Sequence, residues 1–294
     1  MWIVGVDGSE SSVRALRWAA SFAAATGGQV QPVMAWEVPL PIWASQGRRA
    51  FEVDRQGLAA SAGVAADRCV DDACDVEGDL AETLRGVIVE PMVVEGHPSR
   101  ILHEWSESGY PVVVGRRGVS ALRHRLLGST SHYLVTHAAG PVVVVPETFD
   151  HLDPAAAMQV LVGFDASEPA IAALGWALET LPDTAKITAL TAIDAVPWLQ
   201  PEAVVVQYPD LVESTAAKVN EALDRIDPEG RAARDIVERP PYQTFADHFE
   251  GLDLIVVGPR GLGAVARTIL GSVTTWLINE APCPVVIVPA PDDT

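Results

Sequence analysis

The apolar residues fall in short, turn-bounded runs that alternate with stretches of helical spacing. Trp2 to Val6 is such a run, reads as a buried strand, and ends in Asp7-Gly8-Ser9-Glu10. Behind Ser9, a suitable N-cap, Val13, Leu16, Ala20 and Ala23 recur at helical spacing until Gly27-Gly28 stops the helix. Val30 to Trp36 predicts a second strand, which Pro39 and Pro41 break. A loop with Trp43 and Arg48-Arg49 follows, and Phe51 to Arg85 suits one or two helices. A third strand is predicted over Val87 to Val94, interrupted by Pro91, and Gly96-His97-Pro98 turns it into a helix beginning at Ser99. Pro111 to Val114 predicts the fourth strand, Ser129 to Ala138 a helix, and Pro141 to Pro146 the fifth strand.

The pattern then restarts. Asp7 and Ser9 recur as Asp165 and Ser167 at an offset of 158, which also carries Leu16 onto Leu174 and Trp18 onto Trp176. The later block repeats at an offset of 143, which carries Gly115 onto Gly258, Leu134 onto Leu277 and Pro141 onto Pro284. The chain is thus a tandem duplication. Its expected parts are a first domain over 1–146, an acidic, proline-containing linker over 147–157, and a second domain over 158–294. Alternating strands and helices predict an α/β fold for each half: a Rossmann-like, five-stranded, mostly parallel sheet with helices on both faces. The crevice of such a sheet lies beyond the carboxyl ends of its strands, where Asp7 and the loop after strand four can meet.

That loop is the most distinctive stretch. Three β-branched residues lead into Gly115-x-x-Gly118, nine residues follow, and Gly128-Ser129 opens a helix; Gly258, Gly261, Gly271 and Ser272 repeat the spacing. Glycines at a strand end let a ligand approach without a Cβ in the way. A helix start supplies N–H groups with no intrahelical partner and the positive end of a dipole, so strand end and helix start together suit a phosphate. A single Gly-x-x-Gly commonly does no more than punctuate a turn; two copies with identical gaps and endings argue for a shared ligand.

Charge narrows the reading. The 294 residues carry a formal net charge of −19, which argues against nucleic acid as a partner. The only lysines are Lys186 and Lys218, neither behind a glycine loop, so no Walker A loop is present. Arg116, Arg117, Arg123, His124 and Arg125 in the first loop, and Arg260 and Arg267 in the second, either hold phosphates or form a solvated face. No apolar run is long enough to span a membrane, and the chain begins directly with a strand, so a soluble, cytoplasmic protein is expected. Cys69, Cys74 and Cys283 lack metal-ligand spacing and suit buried free thiols. The seven histidines form no ligand pair along one element. Asp7 and Asp165 either contact a ligand or cap a helix, while Trp18 and Trp176 fit a helical core face. No Gly-x-Ser-x-Gly elbow occurs.

Asp after strand one, Gly-x-x-Gly-x9-Gly-Ser after strand four and a closing Pro-Val-Val-Val-Val-Pro strand resemble the universal stress protein family in its tandem-domain form. The resemblance covers nearly the whole chain. It implies ATP-binding domains similar to the adenine nucleotide alpha hydrolases, with Mg²⁺ arriving on the nucleotide. By that likeness Asp7 and Asp165, beside Gly8 and Ala166, sit at the adenosine end, and the backbone at Ala35 and Ala192 meets adenine. Gly115, Arg117, Gly118, Gly128, Ser129 and Thr130 hold ribose and phosphates in the first half. Gly258, Arg260, Gly261, Gly271, Ser272 and Val273 do so in the second. The family also implies antiparallel pairing of last strands, so Val142 to Val145 and Val285 to Val288 are the expected interdomain or dimer seam. Arg239-Pro240-Pro241-Tyr242 stands where the first half has Gly96-His97-Pro98, and is expected to narrow or reshape the second pocket. The implied function is a nucleotide-dependent stress or regulatory switch, with no evident general base for hydrolysis. A slow ATPase or adenylyl-transfer enzyme, or a scaffold with a degenerate second pocket, are the alternatives.

Overall fold

The computed structural model describes residues 1–38, 54–118, 127–150, 152–194, 208–261 and 270–290. The loop with Trp43 and Arg48-Arg49, and Arg123, His124, Arg125 and Arg267, lie outside them. The first half contains β1 (Trp2–Gly5), α1 (Glu10–Thr26), β2 (Val30–Trp36), α2 (Arg55–Ala73), α3 (Leu80–Val87), β3 (Met92–Glu95), α4 (Pro98–Glu107), β4 (Val112–Gly115), α5 (Ser129–His137) and β5 (Val142–Val145). The second contains β6 (Gln159–Gly163), α6 (Glu168–Thr180), β7 (Lys186–Ala192), α7 (Tyr208–Ile226), β8 (Ala232–Val237), α8 (Pro241–Asp247), β9 (Leu254–Val257), α9 (Ser272–Glu280) and β10 (Val285–Ile287).

Local chemistry sets these boundaries. Ser9 caps α1 by accepting from the Ser12 N–H at 3.2 Å, and Gly27 ends the helix in the left-handed conformation at φ 81°. The third strand is shorter than its apolar run. α3 continues through Val87, Ile88 forms an isolated bridge to Val30, and pairing in β3 resumes only at Met92, after Pro91. Proline has no N–H to give the ladder, which accounts for the late start.

The strands form a single ten-stranded sheet in the order β3-β2-β1-β4-β5-β10-β9-β6-β7-β8. Each half is parallel, and the halves join where β5 and β10 pair antiparallel, with Val142 opposite Ile287 and Val144 opposite Val285. The expected seam is therefore used within the chain. Alternate residues of each central strand feed opposite cores. Val143 and Val145 enter the core under α1, α2, α6 and α7, whereas Val142 and Val144 enter the one under α4, α5 and α9. Burial on both faces explains why these strands are runs of valine.

The residues between the halves are docked against them. Asp150 pairs with Arg17 at 2.8 Å, Thr148 Oγ1 donates to the Pro282 carbonyl, and Leu152 and Met158 are buried. Trp18 is fully buried, as its helical spacing predicts. Its counterpart Trp176 is only partly buried and meets Trp2 of the other half edge-on at 6.4 Å, so equivalent positions serve core and seam. All three cysteines are buried and free.

Cys283, just before β10, has its thiol pushed up to about 12, first by burial and then by Asp253. Below the unfolded thiol value both states are protonated; above it only the unfolded chain ionises, and stability falls toward the folded value. Between pH 9 and 11, urea unfolding should lose up to about 1.4 kcal/mol per pH unit more in the native protein than in a Cys283→Ala variant. Parallel pH profiles would contradict this.

Candidate functional site

Each half has a cavity at the carboxyl ends of its strands, where strand order reverses: between β1 and β4 in the first half, and between β6 and β9 in the second. Their volumes are about 430 and 420 Å³. The first wall includes Asp7, Ala35, Gly115, Arg117, Gly118, Gly128, Ser129 and Thr130. The second includes Asp165, Ala192, Gly258, Arg260, Gly261, Gly271, Ser272 and Val273. Sequence positions more than 120 apart thus converge as the paired glycine motifs predict.

The glycines are needed for close approach. A Cβ on Gly118 would stand 2.4 Å from Asp7 Oδ2, and one on Gly261 2.3 Å from Asp165 Oδ2. Gly115 leaves no room for a Cβ against Ser11 on α1, nor does Gly258 against Pro169 on α6. The loops then close on themselves: Gly128 N–H donates to the Arg116 carbonyl at 2.9 Å, and Gly271 N–H to Pro259 at 2.8 Å. Both following helices have glycine as N-cap and no side-chain cap. Their first N–H groups, at residues lining the cavities, therefore have no capping side chain and no intrahelical acceptor.

Asp7 and Asp165 are not the helix caps. Ser9 and Ser167 take that role, while Asp7 Oδ1 accepts from the Ser9 N–H at 3.0 Å and Asp165 Oδ1 from the Ser167 N–H at 3.0 Å. Each carboxylate thus holds the turn after the first strand of its half and presses its other oxygen toward the facing glycine. Gly8 and Ala166 lie outside the cavity walls and supply the turn itself, at φ 83° and φ 61°. Alanine there bears a left-handed strain of about 1–2 kcal/mol.

The arginines separate. Arg117 lines the first cavity, its Nε 3.5 Å from Glu147 Oε1, and Arg260 lines the second. Arg116 is instead buried, outside the cavity wall. It donates to the Asn279 carbonyl in α9 of the other half, and its Nε lies 3.2 Å from Glu147 Oε2. Burial pulls its guanidinium below the ordinary value, with Glu147 opposing. Arg116 is thus a tie between halves, neither a phosphate-binding cation nor part of a solvated loop face, the two places expected for the loop arginines.

Pro241 and Phe245 stand in the second wall where the first has His97, Pro98 and Leu102, so the second cavity is reshaped without being narrowed. Thr130 is matched by Val273. Sequence reasoning missed Ser131 and Thr274, whose hydroxyls donate to the Gly115 and Gly258 carbonyls at 2.7 and 2.9 Å and lock each helix start to its strand end. The repeat held the signal: a hydroxyl residue falls two positions after Gly-Ser in both copies. It also missed Ser12, which reaches the first cavity and accepts from the Asp7 N–H at 3.3 Å. Among the described residues no His, Cys, Asp and Glu group of three or more is arranged to hold a metal.

This architecture defines a tandem doubly wound α/β protein with one glycine-walled cavity per half. The model of the universal stress protein family matches residues 3–146 and 157–289, and the chain belongs to that family. It is similar to a universal stress protein of Mycolicibacterium smegmatis, 29% identical over 301 residues, covering 97% of this chain and 96% of the relative. A universal stress protein of Mycobacterium tuberculosis is 28% identical over 311 residues, covering 99% and 95%. Among solved structures, a universal stress protein from Archaeoglobus fulgidus aligns at a TM-score of 0.66 and 20% identity over 98% of both chains, a likeness of fold.

Proposed function

We propose that each half binds one adenine nucleotide, ATP in the leading form, and that occupancy makes the protein a stress-related regulatory switch. One observation carries the reading: in both halves a glycine cradle without room for a Cβ faces an uncapped helix start across a cavity of small-ligand size. Backbone N–H groups of α5 and α9, with Arg117 and Arg260, would hold phosphates. Ala35 and Ala192 would lie along the base. Mg²⁺ would arrive with the nucleotide and keep water and phosphate oxygens as ligands. Thr130 adds a hydroxyl that Val273 lacks, so the first site is the tighter. Three free, buried thiols suit a reducing compartment, which we take to be the cytoplasm; among the described residues no helix is long and apolar enough to cross a membrane.

The test starts from nucleotide extracted from purified protein and from phosphate release followed over hours. Two unhydrolysed nucleotides per chain support the switch; steady turnover identifies a slow ATPase instead, and an empty second site a scaffold. In titrations with ATP, Arg117→Ala with Arg260→Ala should weaken binding by about 10-fold or more, the worth of a charge-assisted contact to each phosphate chain. Unchanged affinity would leave the backbone as the whole phosphate site.

A further inference from the structure

The halves are related across the β5–β10 seam by the offset of 143 that carries Gly115 onto Gly258, and two equivalent regions flank that seam. In one, Arg116 and Glu147 of the first half meet Asn279 at the carboxyl end of α9, with Glu280 adding a favourable charge. The same offset converts Arg116 into Pro259, Glu147 into Ala290, Asn279 into Thr136 and Glu280 into His137. All four converted residues line one cavity of about 580 Å³, which opens where the arginine and glutamate side chains are missing. Glu107 and Glu168 also line it.

We propose that this second region is a binding site for a small molecule bearing a guanidinium group, adjoining the second nucleotide cavity, with which it shares Arg260 and Gly261. The chain itself shows what fills the equivalent space: a guanidinium set against the end of a helix whose last carbonyls have no intrahelical N–H. The end of α5, at Thr136 and His137, presents the same negative dipole end to the cavity, and two carboxylates line it, Glu168 and Glu107, the latter 3.6 Å from His103, which lines the cavity too. Arg260, which borders the cavity, does not oppose this reading. Its counterpart Arg117 lies beside Arg116, both within 3.5 Å of Glu147. A ligand carrying its own carboxylate would take the place Glu147 holds there, so arginine is the natural probe.

The experiment compares L-arginine with L-citrulline, which has the same shape and a neutral urea in place of the guanidinium. L-arginine should raise the thermal midpoint of the full chain saturably, with an apparent Kd below ~1 mM, and citrulline should bind at least 10-fold more weakly. The double variant Pro259→Arg with Ala290→Glu copies the filled region and should abolish the response. If that variant does not fold, Glu107→Gln with Glu168→Gln, at the cavity rim, should weaken arginine at least 5-fold. No saturable response, an equal response to citrulline, or a response that survives both sets of substitutions overturns the proposal. None of these readouts depends on nucleotide, so a failure here is distinct from a failure of the nucleotide reading.

Discussion

Replacing Gly118 by alanine is expected to cost the first half at least about 100-fold in nucleotide affinity while leaving the second half's site in place. The added Cβ would stand 2.4 Å from Asp7 Oδ2, and Asp7 has little freedom to yield, because its other oxygen accepts from both the backbone and the hydroxyl of Ser9. Either the carboxylate turns into the cavity or the loop withdraws from the start of α5. Both separate the elements that make a phosphate cradle, and about 2.7 kcal/mol of lost contact corresponds to 100-fold. Gly261→Ala places its Cβ 2.3 Å from Asp165 Oδ2 and should do the same to the second half. Isothermal titration of the two variants and their combination checks the prediction: one nucleotide per chain from each single variant, none from the double. Because the first site is proposed as the tighter, Gly118→Ala should remove the high-affinity component. Two intact sites in both single variants would show that the cradle is not where phosphate binds.

Arg116→Ala is expected to lower unfolding stability by about 2–3 kcal/mol. Breaking a buried ion pair by removing one partner costs about 3–5 kcal/mol, and the lower figure follows because Glu147, 35% exposed, keeps some water and its contact with Arg117. The Asn279 carbonyl also loses its donor. Arg116→Lys should recover only part of the loss, since an ammonium cannot serve the carbonyl and the carboxylate through a planar fork. Urea unfolding at neutral pH measures both variants. A loss under about 0.5 kcal/mol would mean that the β5–β10 ladder and the apolar core hold the halves together without this tie.

Much of the fold was legible because the physics behind it is local. Valine runs bounded by proline and glycine are strands buried on both faces, and Ser9 and Gly27 mark the ends of α1 through hydrogen bonds that reach only four residues. The third strand was overread because β-branched residues before Pro91 look like strand wherever they fall, while its pairing depends on β2. The wall positions of the candidate site were legible through repetition, which marks Asp7 with Gly118 and Asp165 with Gly261 without any structure. Arg116 was not. Beside Arg117 in a glycine loop it reads as a phosphate ligand or part of a solvated face, and only the folding of the other half brings Asn279 to it.

By itself, the sequence determined that this chain is two copies of one α/β unit, that each copy sets an aspartate after its first strand and a glycine loop after its fourth, and that the last strands are buried on both faces. Those properties follow from spacing, capping and burial within one copy. The tertiary structure alone decided that the copies share one continuous sheet, that equivalent tryptophans divide between core and seam, and that one flank of the seam is filled by Arg116 and Glu147 while the other stays open around Pro259 and Ala290. Contacts between the two copies, unlike those repeated within each copy, leave no repeat in the sequence, so the difference between two nearly equivalent flanks emerges only when the halves are packed together.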